Sequence, residues 1–240
     1  MNAFDQSYGY FQQLERAGKW SIPWWSARFY AQLAHRYAPA AYPRRALDVG
    51  CGLGMLLAQL TPDFVTYGLD ISAFALAVAR RRAPHAHLVL GNAGSLAAFP
   101  GNYFHAVIAK HVLEHLPEPE EALGQCARLL VPQGVLIFGT PNTRSLLRPL
   151  KGKQWIGVRD PTHVAVLPPK VWLTLTAQAG LRILRVFSDG FWDVPYLPLI
   201  PRVLQLPLFA WPAALQVLLG WPLIPVALGE SLLVIAQKPG

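Results

Sequence analysis

The sequence predicts an α/β fold. We expect a doubly wound sheet that is parallel except for one antiparallel strand, with an N-terminal helical cap and an apolar insertion before the last strand. Over residues 45–141, short β-type runs alternate with helical patterns, as in βαβ units around a parallel sheet. A glycine-rich turn follows the first run, where such sheets bind ligands. A long apolar stretch precedes a last β-type run at residues 230–237, which predicts the antiparallel strand.

The predicted elements follow in order along the chain. The first helix ends at Leu60 before Pro62, the second begins behind the capping residue Ser72, and the third covers residues 117–130 with acidic side chains in its first turn. Right-handed crossovers place the carboxyl ends of the parallel strands at one edge of the sheet. Strands are expected at residues 47–49, 65–71, 87–90, 105–109, 134–139, 181–187 and 230–237.

Length and composition limit the possible domain organisation, binding partners and cellular compartment. The 240 residues are enough for one α/β domain, expected at residues 45–240, with the helical cap at residues 1–44. A net charge of +8 is compatible with nucleic acid, an anionic bilayer or an acidic substrate. The two cysteines, Cys51 and Cys126, favour a reducing compartment and predict neither a disulfide framework nor a tetrahedral metal site. Residues 1–11 lack a basic start followed by an apolar run, so we expect no signal peptide.

The turn after the first strand carries the strongest functional signal. Gly50, Gly52 and Gly54 follow directly after Asp48, and glycines let the backbone bend sharply and approach a ligand closely. The spacing differs from the G-x-G-x-x-G pattern of dinucleotide sites, and Asp48 would repel a pyrophosphate but suit a cationic group. Asp70, at the end of the second strand, can accept hydrogen bonds from both hydroxyls of a ribose.

Four segments resemble the successive motifs of class I S-adenosylmethionine-dependent methyltransferases, which have a Rossmann-like fold: residues 47–54, 67–72, 91–93 and 111–116. The subgroup most similar to the chain includes ubiquinone-biosynthesis-type O-methyltransferases, and the resemblance covers residues 45–190. It implies that the glycine turn passes under the methionine part of S-adenosylmethionine, that Asp70 holds the ribose and that Ile71 flanks the adenine. The residues expected to bind this cofactor are Asp48, Gly50, Cys51, Gly52, Gly54, Asp70, Ile71, Asn92, Ala93 and Lys110.

The third motif departs from the family pattern. Many members have an acid after the third strand, which accepts a hydrogen bond from the adenine amino group, whereas this chain has Asn92. The amide oxygen of Asn92 can still accept, but without a charge. Adenine binding is therefore expected to depend more on the backbone of Ala93 and on apolar stacking.

Two histidines are candidates for the catalytic base. His111 follows the fourth strand and can take a proton from a hydroxyl near neutral pH; alternatively, it only packs against the cofactor. His163 lies in a segment that resembles an Asp-Pro-x-His loop of the family; alternatively, it bonds to Asp160 and holds that loop. Glu114 and His115 are expected to fix the entry to the following helix.

The segment after the fourth strand also excludes several chemistries. It lacks the Asn-Pro-Pro-aromatic motif of exocyclic-amine methylation on bases, and no Pro-Cys nucleophile for cytosine methylation is present. Lys110 stands where metal-dependent catechol methyltransferases use an acid, so we expect a metal-independent enzyme without metal ligands. The sequence shows no separate RNA-binding module, so a nucleic-acid partner is not expected.

Aromatic residues are concentrated before Arg45. In this fold such a segment often caps the acceptor pocket; alternatively, it is a packed helical extension. The aromatic residues are Tyr8, Tyr10, Phe11, Trp20, Trp24, Trp25, Phe29 and Tyr30.

The insertion at residues 190–229 is the most unusual part of the sequence, because residues 203–229 contain no ionisable side chain. Both flanking strands belong to one sheet, so the insertion must enter and leave on the same side. Its four prolines, at positions 207, 212, 222 and 225, predict short helices or a helical hairpin. We expect residues 194–228 to contact a membrane surface peripherally; the alternatives are a lid and a dimer contact. Residues expected to suit the membrane interface are Trp192, Tyr196, Arg202, Trp211 and Trp221.

The sequence therefore predicts a cytoplasmic enzyme, peripheral on the inner face of the membrane, that methylates a small lipophilic acceptor at oxygen. The alternatives are a methyltransferase of sugar or secondary-metabolite pathways, with the insertion as a lid, and a non-catalytic membrane-bound scaffold. The oligomeric state and the identity of the acceptor stay open.

Overall fold

The computed structural model describes residues 11, 14, 15 and 17–240; Tyr8 and Tyr10 of the aromatic segment lie outside them. Seven strands form one sheet in the order β3-β2-β1-β4-β5-β7-β6, in which β7 runs antiparallel to both of its neighbours. The predicted mixed sheet is therefore confirmed. The strands are β1 (Arg45–Val49), β2 (Val65–Asp70), β3 (His87–Leu90), β4 (Phe104–Lys110), β5 (Leu130–Pro141), β6 (Arg182–Ser188) and β7 (Ser231–Gln237).

Helices cover both faces of the sheet, and their ends follow local capping rules. Ser72 accepts a hydrogen bond from the Ala75 N–H at 3.2 Å and begins the helix after β2 as predicted. The helix before β5 begins at Pro119 rather than at 117, because proline suits the first helical turn, where its missing N–H has no intrahelical partner. The helices are α1 (Ile22–Tyr37), α2 (Met55–Leu60), α3 (Ala73–Arg82), α4 (Pro119–Leu129), α5 (Arg148–Lys151), α6 (Ile156–Arg159), α7 (Pro169–Gln178) and α8 (Arg202–Leu219), and 3-10 turns span Leu113–His115, Gly152–Gln154 and Val226–Leu228.

The core is divided by the sheet into two layers, because successive side chains of a strand point to opposite faces. On β5, Leu136 and Phe138 pack with the layer that contains Trp172 of α7, whereas Ile137 packs with the layer that contains Phe29 of α1. The side chains of β5 and α7 in these contacts are fully buried: Leu136, Ile137, Phe138 and Trp172 are less than 1% exposed. Helix α1 of the predicted N-terminal cap is therefore also part of the main hydrophobic core.

The insertion differs from the prediction. Helix α8 is one continuous 18-residue helix that contains both Pro207 and Pro212, whereas the prolines were expected to break it. Its two buried glutamines hold it in place through hydrogen bonds to the segments that precede and follow it. Gln205 accepts from the N–H groups of residues 196 and 197, and Gln216 donates to the Ser188 carbonyl and accepts from the N–H groups of residues 223 and 224.

Both ends of the insertion return to the same sheet, since β6 and β7 pair directly. Within the described residues, α8 is the one helix long and apolar enough to cross a membrane, and 28% of it is buried in the protein. Trp211 and Trp221 are 62% and 47% exposed, as an interfacial role requires. The expectation for Tyr196 is wrong: it is buried, because its ring packs against Phe191 and Phe209.

Candidate active site

The glycine turn between β1 and α2 is held open by left-handed backbone. Gly50, Gly52 and Gly54 have φ angles of +68°, +50° and +75°, a region that costs other residues conformational energy. A Cβ on Gly50 would lie 2.5 Å from Val112 Cγ2, and one on Gly54 would lie 2.8 Å from Ala79 Cβ. Only glycine therefore lets this turn pass so close to the segment after β4 and to α3.

Asp70 joins this turn to the end of β2. Its Oδ2 accepts a hydrogen bond from the Gly52 N–H at 2.7 Å, and its Oδ1 accepts from the Ser72 N–H at 2.8 Å. Burial raises the pKa of the Asp70 carboxyl, and the backbone N–H groups oppose that rise. The N–H groups of Gly52, Ile71 and Ser72 occupy three of the lone-pair sites of the Asp70 carboxylate. A carboxylate has about four such sites, so it can still accept from a ribose hydroxyl. Ile71 beside it is 42% exposed and can flank a ring.

Asp48 is a second buried carboxyl under the same turn. Burial raises its pKa to about 8; the charge of Lys110 lowers it and that of Asp70 raises it further. The Lys110 ammonium itself lies 5.8 Å from the ring centre of Tyr30 in α1. A cationic ligand beside Asp48 would stabilise its ionised form and lower this pKa.

The remaining predicted cofactor residues surround the turn. Cys51 is buried, and its N–H donates to the Leu69 carbonyl at 3.0 Å, which fixes the turn against β2. Asn92 accepts from the Gly94 N–H at 2.8 Å. One lone pair of its amide oxygen is thus used within its own loop, so the local turn competes with the expected bond to adenine. Ala93 lies half-buried beside Asn92 and packs against the core.

The N-terminal segment reaches this site. The Phe11 Cε1 lies 3.6 Å from the point that a Cβ on Gly52 would occupy. Phe11 is buried and packs with Leu53 of the turn. At least one predicted aromatic residue therefore lies over the cofactor turn.

His111 lies where β4 ends and has an unusual backbone. Its φ is +53°, which non-glycine residues rarely adopt and which is enriched at functional sites. The Nδ1 atom lies 3.0 Å from Glu114 Oε1, and the Nε2 atom lies 3.3 Å from Ser231 Oγ. Its N–H donates to the Gly139 carbonyl at 2.9 Å. The ring is therefore oriented from both sides and stays partly exposed.

Glu114 connects the two candidate histidines. Its side chain is fully buried and bonds to His111, while its carbonyl accepts from the N–H groups of residues 164 and 165. The His115 and His163 rings lie 4.7 Å apart between centroids. Burial lowers the pKa of His163, and the charge of Glu114 opposes that change. Glu114 and His115 thus hold the loop of His163 against the end of β4, in addition to any role at the helix entry.

Donor atoms of Glu114, His115 and His163 lie within 4.8 Å of one another. The Nδ1 of His115 already lies 2.9 Å from Thr162 Oγ1, which in turn donates to Asp160. We interpret the group as a hydrogen-bonded cluster that organises the loop, and the absence of metal ligands stays a prediction.

Two polar residues at this edge were missed in the sequence. Ser231, the first residue of β7, contacts His111, and its hydroxyl donates to Asp189 Oδ2 at 2.7 Å. The Ser231 N–H also donates to Asp189 Oδ1 at 2.9 Å. Asp189 follows β6, which runs in the same direction as β5 because both are antiparallel to β7. The rule that functional residues follow parallel strands therefore points to Asp189.

A family model described as a methyltransferase domain matches residues 47–138. This range includes most of β1, all of β2 to β4, the glycine turn, Asp48, Asp70 and His111. The chain carries a methyltransferase domain. S-adenosylmethionine is the methyl donor that this domain family implies, and the chain fits it: two buried carboxyls and a turn with three left-handed glycines lie at the same end of the sheet.

Sequence similarity to known proteins extends beyond the residues that the family model matches. The ubiquinone biosynthesis O-methyltransferase of Thiobacillus denitrificans is 34% identical over 152 residues, which are 58% of this chain and 64% of that protein. The protein of the same name from Klebsiella pneumoniae is 29% identical over 164 residues, or 61% of this chain and 65% of that one. The chain thus spans just under two thirds of the length of these relatives.

A solved S-adenosylmethionine-dependent methyltransferase from Archaeoglobus fulgidus superimposes on nearly the whole chain. The TM-score is 0.66 at 19% identity, with 97% of this chain and 100% of that chain covered. At 19% identity, this similarity shows that the two proteins share a fold. The methyltransferase domain of this chain therefore has the sheet and helix arrangement of that solved enzyme.

Proposed function

We propose that the chain is an enzyme that transfers a methyl group from S-adenosylmethionine to an oxygen atom of a small, lipophilic acceptor, without a metal ion. The observation that carries the proposal is the pair of buried carboxyls, Asp48 and Asp70, on either side of the left-handed glycine turn. S-adenosylmethionine supplies a methyl group activated on a sulfonium. The two carboxyls match its two recognisable parts, since one can face the cationic end and the other the ribose.

In this proposal His111 is the base of the reaction. It lies at the end of β4, next to the Val112 side chain that packs on Gly50, and its ring is partly exposed. It orients the acceptor hydroxyl and takes its proton while the oxygen is methylated. His163 is the other candidate; burial lowers its pKa, which keeps it neutral near pH 7.

The activity test is a titration of the purified chain with S-adenosylmethionine and S-adenosylhomocysteine, followed by a transfer assay. The methyl group is tritium-labelled, and the acceptors are fractions of a bacterial lipid extract. Micromolar binding with label transferred into an extractable product supports the enzyme. A well-folded chain that binds neither compound would leave the non-catalytic scaffold as the better explanation.

The surface of α8 supports the proposal of a lipophilic acceptor. Along this helix Val203, Leu208, Trp211 and Leu218 are 75%, 57%, 62% and 67% exposed, an apolar surface that soluble chains rarely leave uncovered. Tryptophan favours the interface between water and lipid, and the cationic Arg202 stands at the N-terminal end of the helix. We infer that this face lies in the surface of a membrane on its cytoplasmic side, where it gives access to lipophilic acceptors.

Flotation with vesicles tests the membrane contact on the full chain. Substituting Trp211→Ser together with Leu218→Ser removes two exposed apolar side chains of α8. The matched control is Tyr42→Ser with Leu90→Ser, which removes two side chains that are 102% and 61% exposed elsewhere. We expect vesicle binding to be lost in the α8 variant alone. If both variants float as the wild type does, or if the wild type does not float, the insertion is better explained as a lid over a polar acceptor.

A further inference from the structure

We propose that Ser231 and Asp189 are positioning residues for His111, and that they present an accepting oxygen to its Nε2 atom. This inference deepens the role that the proposed function gives to His111 and depends on it. It concerns two residues on the antiparallel edge of the sheet, 120 and 78 positions away from the histidine.

The direction of the hydrogen bonds carries the argument. The Asp189 carboxylate accepts twice from Ser231, from the hydroxyl at 2.7 Å and from the N–H at 2.9 Å. The hydroxyl hydrogen of Ser231 is therefore directed at Asp189, and only a lone pair of Oγ faces His111 Nε2, 3.3 Å away. On the other side of the ring, Glu114 Oε1 faces Nδ1 at 3.0 Å. Each ring nitrogen thus faces an oxygen that can accept a hydrogen bond from an N–H on that nitrogen.

This arrangement suits the charged ring that forms during the reaction. When the acceptor oxygen is methylated, its proton passes to Nε2, and the electron pair of the broken O–H bond stays on the oxygen. The resulting imidazolium donates from Nδ1 to Glu114 and from Nε2 to Ser231. The 3.3 Å separation before transfer is longer than an ordinary hydrogen bond. An acceptor hydroxyl would approach Nε2 from the exposed side of the ring. Stabilisation that is stronger after proton transfer than before it accelerates the step.

Hydrogen bonds fix the geometry of the pair. Ser231 is 4% exposed, and Asp189, which is half-buried, accepts two hydrogen bonds from it. The charged or titratable groups that face this pair are His111 and Glu114 on the β4 side, with Tyr196 and Glu230 on the side of the insertion. Burial raises the pKa of Asp189, whereas its bonds with Ser231 and the charge of His111 lower it. The bonds from Ser231 thus offset part of the cost of burying the Asp189 carboxylate.

The test uses two variants of the same shape. Ser231→Thr keeps the hydroxyl and Ser231→Val lacks it, and both add bulk to the same buried position. Nitrogen-15 spectra of labelled histidine report the hydrogen bonding of the ring, with the His111 signal assigned from its loss in His111→Asn. We expect Ser231→Thr to keep the wild-type Nε2 signal and Ser231→Val to shift it. We expect kcat to fall at least tenfold in Ser231→Val relative to Ser231→Thr, with the acceptor KM and the cofactor Kd unchanged.

A double-variant comparison separates a positioning role from a structural one. In a His111→Asn background, Ser231→Val should lower kcat by less than twofold, because Ser231 acts through the missing histidine. The inference is overturned if the His111 signal is the same in the Thr and Val variants, or if Ser231→Val lowers kcat equally in both backgrounds. The spectra need no acceptor. A chain that binds no cofactor but shows the expected shifts would refute the proposed activity and leave the hydrogen-bond arrangement intact.

Discussion

Asp70→Asn is the substitution that tests the cofactor site most directly. The carboxylate accepts from the Gly52 N–H through Oδ2 and from the Ser72 N–H through Oδ1, whereas an asparagine offers one accepting oxygen. One backbone N–H then faces an amide NH₂, and the charge that would bind ribose hydroxyls is lost. A hydrogen bond to a charged group contributes about 1.5–3 kcal/mol. The loss of one such bond corresponds to a rise in cofactor Kd of roughly 10- to 150-fold.

Calorimetric titration with S-adenosylhomocysteine measures this change without an acceptor. Asp63→Asn is the matched control, because it removes the same charge from a side chain that is 64% exposed; its Kd should equal that of the wild type. A folded Asp70→Asn protein that binds within threefold of the wild type would refute the ribose assignment. Asp70 would then serve only to join the glycine turn to α3.

Four further predictions concern the same end of the sheet. Gly54→Ala should lower the free energy of unfolding by about 2–4 kcal/mol in urea titrations, because it combines a left-handed φ with a Cβ 2.8 Å from that of Ala79; Gly124→Ala, with nothing within 4 Å, should be neutral or slightly stabilising. Between pH 6 and 8 the affinity for S-adenosylmethionine should rise with pH, by up to about tenfold per unit, because Asp48 has a pKa of about 8 and must lose its proton to face a cation; the affinity of Asp48→Asn should be independent of pH, and an equal slope in both proteins would contradict this role. By the same linkage, the ligand-free protein should lose stability as pH rises from about 4 to 8, since the folded state retains the Asp48 proton that the unfolded state releases. Transfer activity should survive removal of divalent cations with EDTA, and a loss that zinc or magnesium restores would show that the cluster of Glu114, His115 and His163 holds an ion.

Much of the fold could be predicted because its signals are local. The alternation of strands and helices, the glycine turn and the Ser72 cap each depend on a few neighbouring residues, and the structure confirms them. The boundaries of β4 and β5 extend beyond the predicted ones. Strand β5 begins at Leu130 rather than at 134, since its first residues pair with Phe104 across a register shift, a contact that no single segment reveals.

The parts that were not predicted depend on contacts between distant segments. The prolines of α8 indicated a broken helix, but Gln205 and Gln216 hold the helix in place through bonds to flanking loops. The contact between His111 and Ser231 joins residues 120 positions apart. It exists because β7 runs antiparallel beside β5. The beginning of β7 therefore lies at the same edge of the sheet as the carboxyl end of β4, one strand away. The sequence predicts the direction of β7, but it does not predict which side chains this direction brings together.

The contacts between Arg36 and the loop after α8 couple local unfolding of the insertion to that of helix α1. The Arg36 guanidinium lies 3.8 Å from the ring centre of Trp221, and its Nε–H donates to the Gly220 carbonyl at 3.1 Å. Helix α1, which supplies core residues beneath the sheet, is therefore fastened to the insertion, although about 180 residues separate them in the chain. Amide hydrogens of α1 and of the C-terminal turns of α8 should exchange with solvent as one cooperative unit, so that whatever loosens the insertion also loosens the N-terminal layer of the core.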